Sequence, residues 1–156
     1  MKKLFVIVCF LLLAVMQAQA GPVKKQVFFG SGLVSPWSGG TKSLSMAGGF
    51  AVILPVSQKM FLRPLIAGGA NVPLNSATSV PLLQMGALVG FKFSTRVAIL
   101  SGGALIVAFP PGKPSTVLPT ALFSSAWKLT RKWGISTPIA VNKKGAMLAF
   151  QVGYTW

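Results

Sequence analysis

The chain has 156 residues, a length that suits one domain, with fifteen Lys and Arg but no Asp, Glu or His. Carboxylate acid–base pairs, His-containing triads and metal sites built from His or carboxylate are therefore excluded. At 53% hydrophobic and 10% charged, the composition is too apolar for a disordered basic tail and too sparsely charged for an ordinary soluble surface.

Residues 1–20 read as a secretory signal peptide. Lys2 and Lys3 form its basic start, Leu4 to Val15 its apolar run, and Ala18-Gln19-Ala20 an A-x-A site that predicts cleavage before Gly21. The apolar run is short for a membrane span and ends in the cleavage motif. Cys9, the only cysteine, lies inside it. Residues 21–156, read as one β-barrel domain, thus have no disulfide to stabilise them. No later stretch is apolar enough, for long enough, to form a membrane helix.

From there the period is mostly two, broken by Gly, Pro, Ser and Asn clusters at nearly regular intervals. Eight strands are predicted, over 26–37, 43–55, 60–73, 80–93, 96–109, 118–130, 132–142 and 145–156. In the second, Leu44, Met46, Phe50, Val52 and Leu54 oppose Ser43, Ser45, Ala47, Gly49 and Ala51. In the fourth, Leu83, Met85, Val89, Phe91 and Phe93 oppose Gln84, Gly86, Gly90 and Lys92. The sixth sets Phe123, Trp127 and Leu129 against Thr120, Ser124 and Lys128, and the seventh sets Trp133, Ile135, Ile139 and Val141 against Gly134, Ser136 and Asn142. In the first and fifth strands both faces are apolar or glycine. Pro138 falls inside the seventh strand, where a closed sheet has no free edge, so a bulge is expected there.

One face is thus bulky and apolar, the other small with scattered polar groups. A soluble barrel places bulk inside and charge outside, but these strands carry almost no charge to place outside. The consistent fold is all-β: an eight-stranded antiparallel up-and-down transmembrane barrel with its bulky face to lipid and its small face to a lumen. Tight links at 57–59, 94–96 and 130–132 alternate with mostly longer ones at 36–42, 72–79, 110–118 and 142–145, as in barrels with short turns at one end and longer loops at the other.

The last strand alternates to its final residue, with Phe150, Val152, Tyr154 and Trp156 on one face. With seven preceding strands and a signal peptide, the chain resembles the small eight-stranded outer-membrane β-barrels of Gram-negative bacteria, of the OmpA/OmpX type. The resemblance covers Gln26 to Trp156 and rests on architecture and the C-terminal pattern. It implies that Phe150, Val152, Tyr154 and Trp156 form the signal read by the barrel-insertion machinery, with outer-membrane lipid around the wall. It also implies an exported protein of the Gram-negative outer membrane. Members of that family usually carry longer outer loops, and acidic residues in lumen and loops; this chain has neither.

In this arrangement the strand centres carry no charge, as lipid exposure requires: Arg or Lys at the midplane costs about 2–4 kcal/mol. Arg63, Lys92, Lys128 and Lys132 are expected to face the lumen near its periplasmic mouth. With no carboxylate to pair with them, that mouth is a solvated basic rim or a vestibule that attracts small anions or phospholipid headgroups. Phe91, Phe93, Trp127 and Trp133, with Tyr154 and Trp156, are expected to form an inner aromatic girdle, and Trp37 and Phe109 an outer one. Glycine pairs near strand middles leave room for curvature or for a narrow passage. The expected function is a non-enzymatic outer-membrane barrel, structural or passing small anions, with no cofactor and no specific nucleic-acid partner. Two alternatives stand beside it: a soluble lipocalin-like barrel for an apolar ligand, and a cationic secreted protein that binds anionic membranes or nucleic acid.

Overall fold

The computed structural model describes residues 21–76 and 78–156. The expected signal peptide, with Ala18 and Ala20 of its cleavage site, lies outside them, and Gly21 is the first described residue. Eight strands follow: β1 (Lys24–Pro36), β2 (Ser43–Pro55), β3 (Met60–Pro73), β4 (Val80–Lys92), β5 (Val97–Ala108), β6 (Thr116–Lys128), β7 (Trp133–Asn142) and β8 (Gly145–Thr155). Each pairs antiparallel with the next, and β8 closes on β1. Strand ends differ from the sequence reading by one or two residues, where they differ at all.

The stagger of the wall can be read from its pairs. Partners traced once around, from Leu54 through Leu62, Val89, Ser101, Phe123, Ile139, Leu148 and Leu33 to Leu44, return to β2 ten residues from the start. That shear over eight strands corresponds to a tilt of about 40°. Strands of this length then rise about 30 Å, enough to cross the ~25 Å apolar band of an outer-membrane barrel.

Alternation assigns the faces as the sequence implied, and closure settles the two ambiguous strands. In β1, Phe28 and Gly30 point inward and Val27 and Phe29 outward; in β5, Leu100 and Ala104 point inward and Ile99 and Leu105 outward. Every strand places large apolar side chains on the exposed outer face, among them Phe29, Phe50, Ile66, Val89, Ile99, Phe123, Ile139 and Leu148. No large side chain is fully buried among the described residues. This inverts the distribution of a soluble domain.

The bulge expected at Pro138 is absent. Pro138 pairs with Ser124 on β6, and the β7–β8 register is the same on both sides of it, Ser136 with Gln151 and Ile139 with Leu148. Only Thr137 and Pro138 drop out of the ladder with β8. The missing N–H is absorbed by a short gap without an inserted residue. Pro64 does the same between β2 and β3, where pairing skips from Ala51–Leu65 to Leu54–Leu62 in one register.

The alternation of link lengths has one exception. Turns of four residues join β2–β3, β4–β5 and β6–β7 at the end that also holds the start of β1 and the end of β8. The opposite end carries longer loops after β1, β3 and β5, but β7 and β8 are joined there by Lys143 and Lys144 alone. Asn142 Oδ1 tightens that link by accepting the N–H groups of Lys144 and Gly145 at 2.8 and 3.2 Å.

Candidate functional site

The three four-residue turns share one construction. Ser57 Oγ accepts from the N–H groups of Lys59 and Met60, Ser94 Oγ from those of Arg96 and Val97, and Thr130 Oγ1 from those of Lys132 and Trp133, all at 3.0–3.3 Å. The repeated pattern is hydroxyl, any residue, cation, apolar residue. The carbonyl of each cation then accepts an N–H from the neighbouring strand: Lys92 to Lys59, Lys128 to Arg96 and Thr155 to Lys132, each at 2.7 Å. These bonds stitch the turns into a ring and fix a positive charge at each one.

Behind this ring the lumen opens into a vestibule of about 720 Å³. Eight of its lining residues are Lys or Arg, and its inner walls include Phe28, Phe61 and Leu100. A smaller cavity of about 280 Å³ opens toward the loop end, lined by Ser43, Ser45, Asn71 and Gln84 and by a single cation, Lys144. The two share no lining residue. Between and around them pack Phe28, Leu65, Leu88, Leu100 and Leu122, with Phe61 on the vestibule side. The lumen thus carries small and polar side chains in its loop-end cavity, a basic vestibule at the turn end, and an apolar filling between the two.

This filling occupies the middle of the lumen, where the sequence reading has the glycine pairs leave room for curvature or for a narrow passage. The missed residues carry a signal nonetheless. Each belongs to an apolar doublet that interrupts alternation: Phe28-Phe29, Phe61-Leu62, Leu65-Ile66, Leu88-Val89, Ile99-Leu100 and Leu122-Phe123. One member of each faces outward and the other fills the lumen. The strand glycines do not widen it either. A Cβ on inward-facing Gly49, Gly69 or Gly102 would strike the carbonyl of Ile66, Met46 or Ala87 on the next strand. They permit close approach in a tightly curved wall.

The four expected mouth cations separate by depth. Arg63 is not on the rim but inside, 7% exposed. Its Nε–H donates to Gln26 Oε1 at 3.0 Å, and its guanidinium carbon lies 5.1 Å from the centre of the Phe28 ring. Gln26 itself fits because position 153 is glycine: a Cβ there would lie 2.5 Å from the Gln26 amide nitrogen. Lys92 is exposed at the mouth, its ammonium 5.9 Å from the Phe61 ring centre. Phe61 in turn occupies space that a Cβ on Gly90 would fill. Lys128 is exposed and borders the vestibule. Lys132 borders it too, but its ammonium lies 5.8 Å from the ring centre of outward-facing Tyr154, so it leans onto the outer wall rather than into the lumen.

Trp37, Phe91, Phe93, Phe109, Trp127 and Trp133 are all exposed. Near the turn end, Phe91 and Phe93 meet edge to face at 5.2 Å, as do Trp133 and Tyr154 at 5.0 Å, and Trp156 lies 6.1 Å from Tyr154. Trp37 is tied to the loop end through an Nε1–H bond to the Asn142 carbonyl at 2.9 Å. Phe150 and Val152 are exposed and Tyr154 half-buried on the outward row of β8, and exposed Trp156 follows directly after the strand.

A closed eight-stranded antiparallel barrel with its apolar side chains outside has counterparts among solved structures. A de novo designed transmembrane β-barrel superposes with a TM-score of 0.63 at 19% identity, over 88% of this chain and 99% of the other. Neisserial surface protein A gives 0.55 at 13%, over 86% and 97%. The N-terminal β-barrel domain of Pseudomonas aeruginosa OprF gives 0.55 at 10%, over 88% and 100%. The fold is that of the small eight-stranded outer-membrane barrels. No protein-family model and no curated protein matches the sequence.

Proposed function

We propose that the chain is an integral protein of a Gram-negative outer membrane, inserted as a closed structural barrel, with its turns toward the periplasm and its loops outside. The observation that carries this reading is the outer wall. All eight strands expose large apolar side chains, and among the described residues the only cation on an outward-facing strand position is Lys25, at the turn end of β1. Soluble monomers rarely expose an apolar patch beyond roughly 300–600 Å². A wall of this kind in water would drive aggregation, which disfavours a soluble lipocalin-like barrel and a cationic secreted protein alike. The aromatic cluster at the turn end and Trp37 and Phe109 at the loop end then serve as interfacial girdles. Residues 1–20 would direct export and be removed before Gly21, and the outward row of β8 would be read by the insertion machinery. The reading includes no catalysis.

The test is fractionation of cells that express the full chain, followed by gel electrophoresis with and without boiling. The expected result is recovery with the outer membrane, extraction only by detergent, and faster migration of the unheated, folded band. Recovery in buffer-soluble form would overturn the proposal.

A further inference from the structure

We propose that the turn-end vestibule binds a phosphate-bearing anion, with the Arg63 guanidinium as its anchor. Arg63 is held deep in the wall by one bond, from Nε to Gln26. Among the described residues its terminal nitrogens find no acceptor, yet they are not sealed away: the sealed, unpartnered side-chain atom is Asn71 Oδ1, at the other end of the lumen. They therefore open to the cavity that Arg63 borders.

No Asp or Glu side chain exists in the sequence to pair with Arg63. Water could hydrate one guanidinium, but here seven further cations border the same vestibule, against one in the opposite cavity. Like charges gathered in a concave site with low-dielectric walls raise the local potential and concentrate anions. A planar guanidinium with two free donors matches an oxyanion in bidentate fashion, while Lys92 and Lys128 at the mouth act as mobile point charges. The Gln26 bond and the Phe28 ring fix the orientation of the fork in advance. A cavity of about 720 Å³ has room for an anion with more than one phosphate group.

The site belongs to the barrel and does not rest on the outer-membrane reading. Only the source of the phosphate does: a soluble phosphate compound, or a phospholipid headgroup that reaches in from the rim. Both share the chemistry that Arg63 recognises.

The test is calorimetric titration of the full folded barrel with pyrophosphate in a zwitterionic detergent. One pyrophosphate per barrel is expected, bound more weakly as salt rises. R63Q should weaken binding about ten- to a hundredfold, as loss of a charge-assisted hydrogen-bond pair does, and R63K should recover part of it. Changing Lys92 and Lys128 together to Gln should weaken binding less and flatten its salt dependence. Each variant is checked for folding by its unheated gel mobility, and K113Q with K143Q at the loop end should bind like the parent. The titration repeated in nanodiscs containing phosphatidylglycerol identifies the source. Competition that disappears in R63Q means a headgroup occupies the site, and no competition means a soluble anion. Unchanged binding in folded R63Q, or equal weakening by the loop-end pair, would overturn the proposal.

Discussion

Single residues decide how the inside of this barrel is filled. Arg63 carries a charge into a wall that has no acid to receive it, and a buried charge without a partner is costly. R63M should therefore make the barrel more resistant to urea in anion-free detergent, by about 1–4 kcal/mol on the scale seen when buried charges give way to apolar residues. Added pyrophosphate should narrow that gap, because it stabilises only the protein that binds it. A less stable R63M would mean that the Gln26 bond and the Phe28 contact outweigh the burial of the charge. Gly90 acts in the opposite sense. Its missing Cβ leaves the space that the Phe61 ring fills, so G90V should force the ring aside. Overpacking of this kind costs about 1–3 kcal/mol, read as a lower urea midpoint of the folded band.

At the scale of strands, register separates two environments one residue apart. Phe50 and Val89 are exposed on the outer face at mid-wall, whereas Ser45 is buried on the lumen side beside the loop-end cavity. F50R and V89R should abolish the folded band, since arginine facing lipid at the midplane costs about 2–4 kcal/mol and meets the insertion machinery as well. S45R should assemble, with its guanidinium reaching the cavity. Equal assembly of all three would mean that no lipid surrounds the wall. W156E, which places a charge directly after the outward row of β8, should reduce folded protein in the membrane more than it reduces export. The faces of β2, β4, β6, β7 and β8 were legible in the sequence because bulky and small residues mostly alternate there, with Leu88-Val89 in β4 and Leu122-Phe123 in β6 as local interruptions. Those of β1 and β5 were not, because Phe28-Phe29 and Ile99-Leu100 put bulk on both sides of the strand. Period two records only the difference between faces. Only closure of the sheet turns one phenylalanine to lipid and its neighbour to the lumen. Pro138 misled for a related reason: a ladder can lose two pairs and keep its register, which composition does not reveal. The depth of Arg63 was equally hidden, since it depends on the tilt that a shear of ten imposes on all the strands.

For the whole molecule, the question is whether a closed wall also encloses a path. An eight-stranded barrel has a lumen just wide enough for side chains to fill, and here the filling is uneven. Eight cations line the turn-end cavity, small polar groups line the loop-end one, and apolar side chains from β1, β3, β4, β5 and β6 separate them. An ion crossing that layer would shed water among Phe28, Leu88, Leu100 and Leu122 without gaining a partner, a barrier that keeps the lumen shut. The parent protein in a planar bilayer should therefore show no steady conductance. L88A combined with L100A should weaken the barrier. Each truncation costs about 2–5 kcal/mol in a packed site, so the variant is tested only after its unheated mobility shows a folded barrel. Small openings should then appear, and they should prefer anions, because any ion reaching the gap from the turn end passes the ring fixed at Lys59, Arg96 and Lys132 and the charges of Lys92 and Lys128. The preference should fade as salt screens the ring, with a Debye length of about 10 Å at 0.1 M. Steady conductance in the parent would show that the apolar layer moves aside unaided and would favour an anion passage over a closed structural barrel. A cation-selective opening in the double variant would show that the vestibule does not set the potential along the lumen.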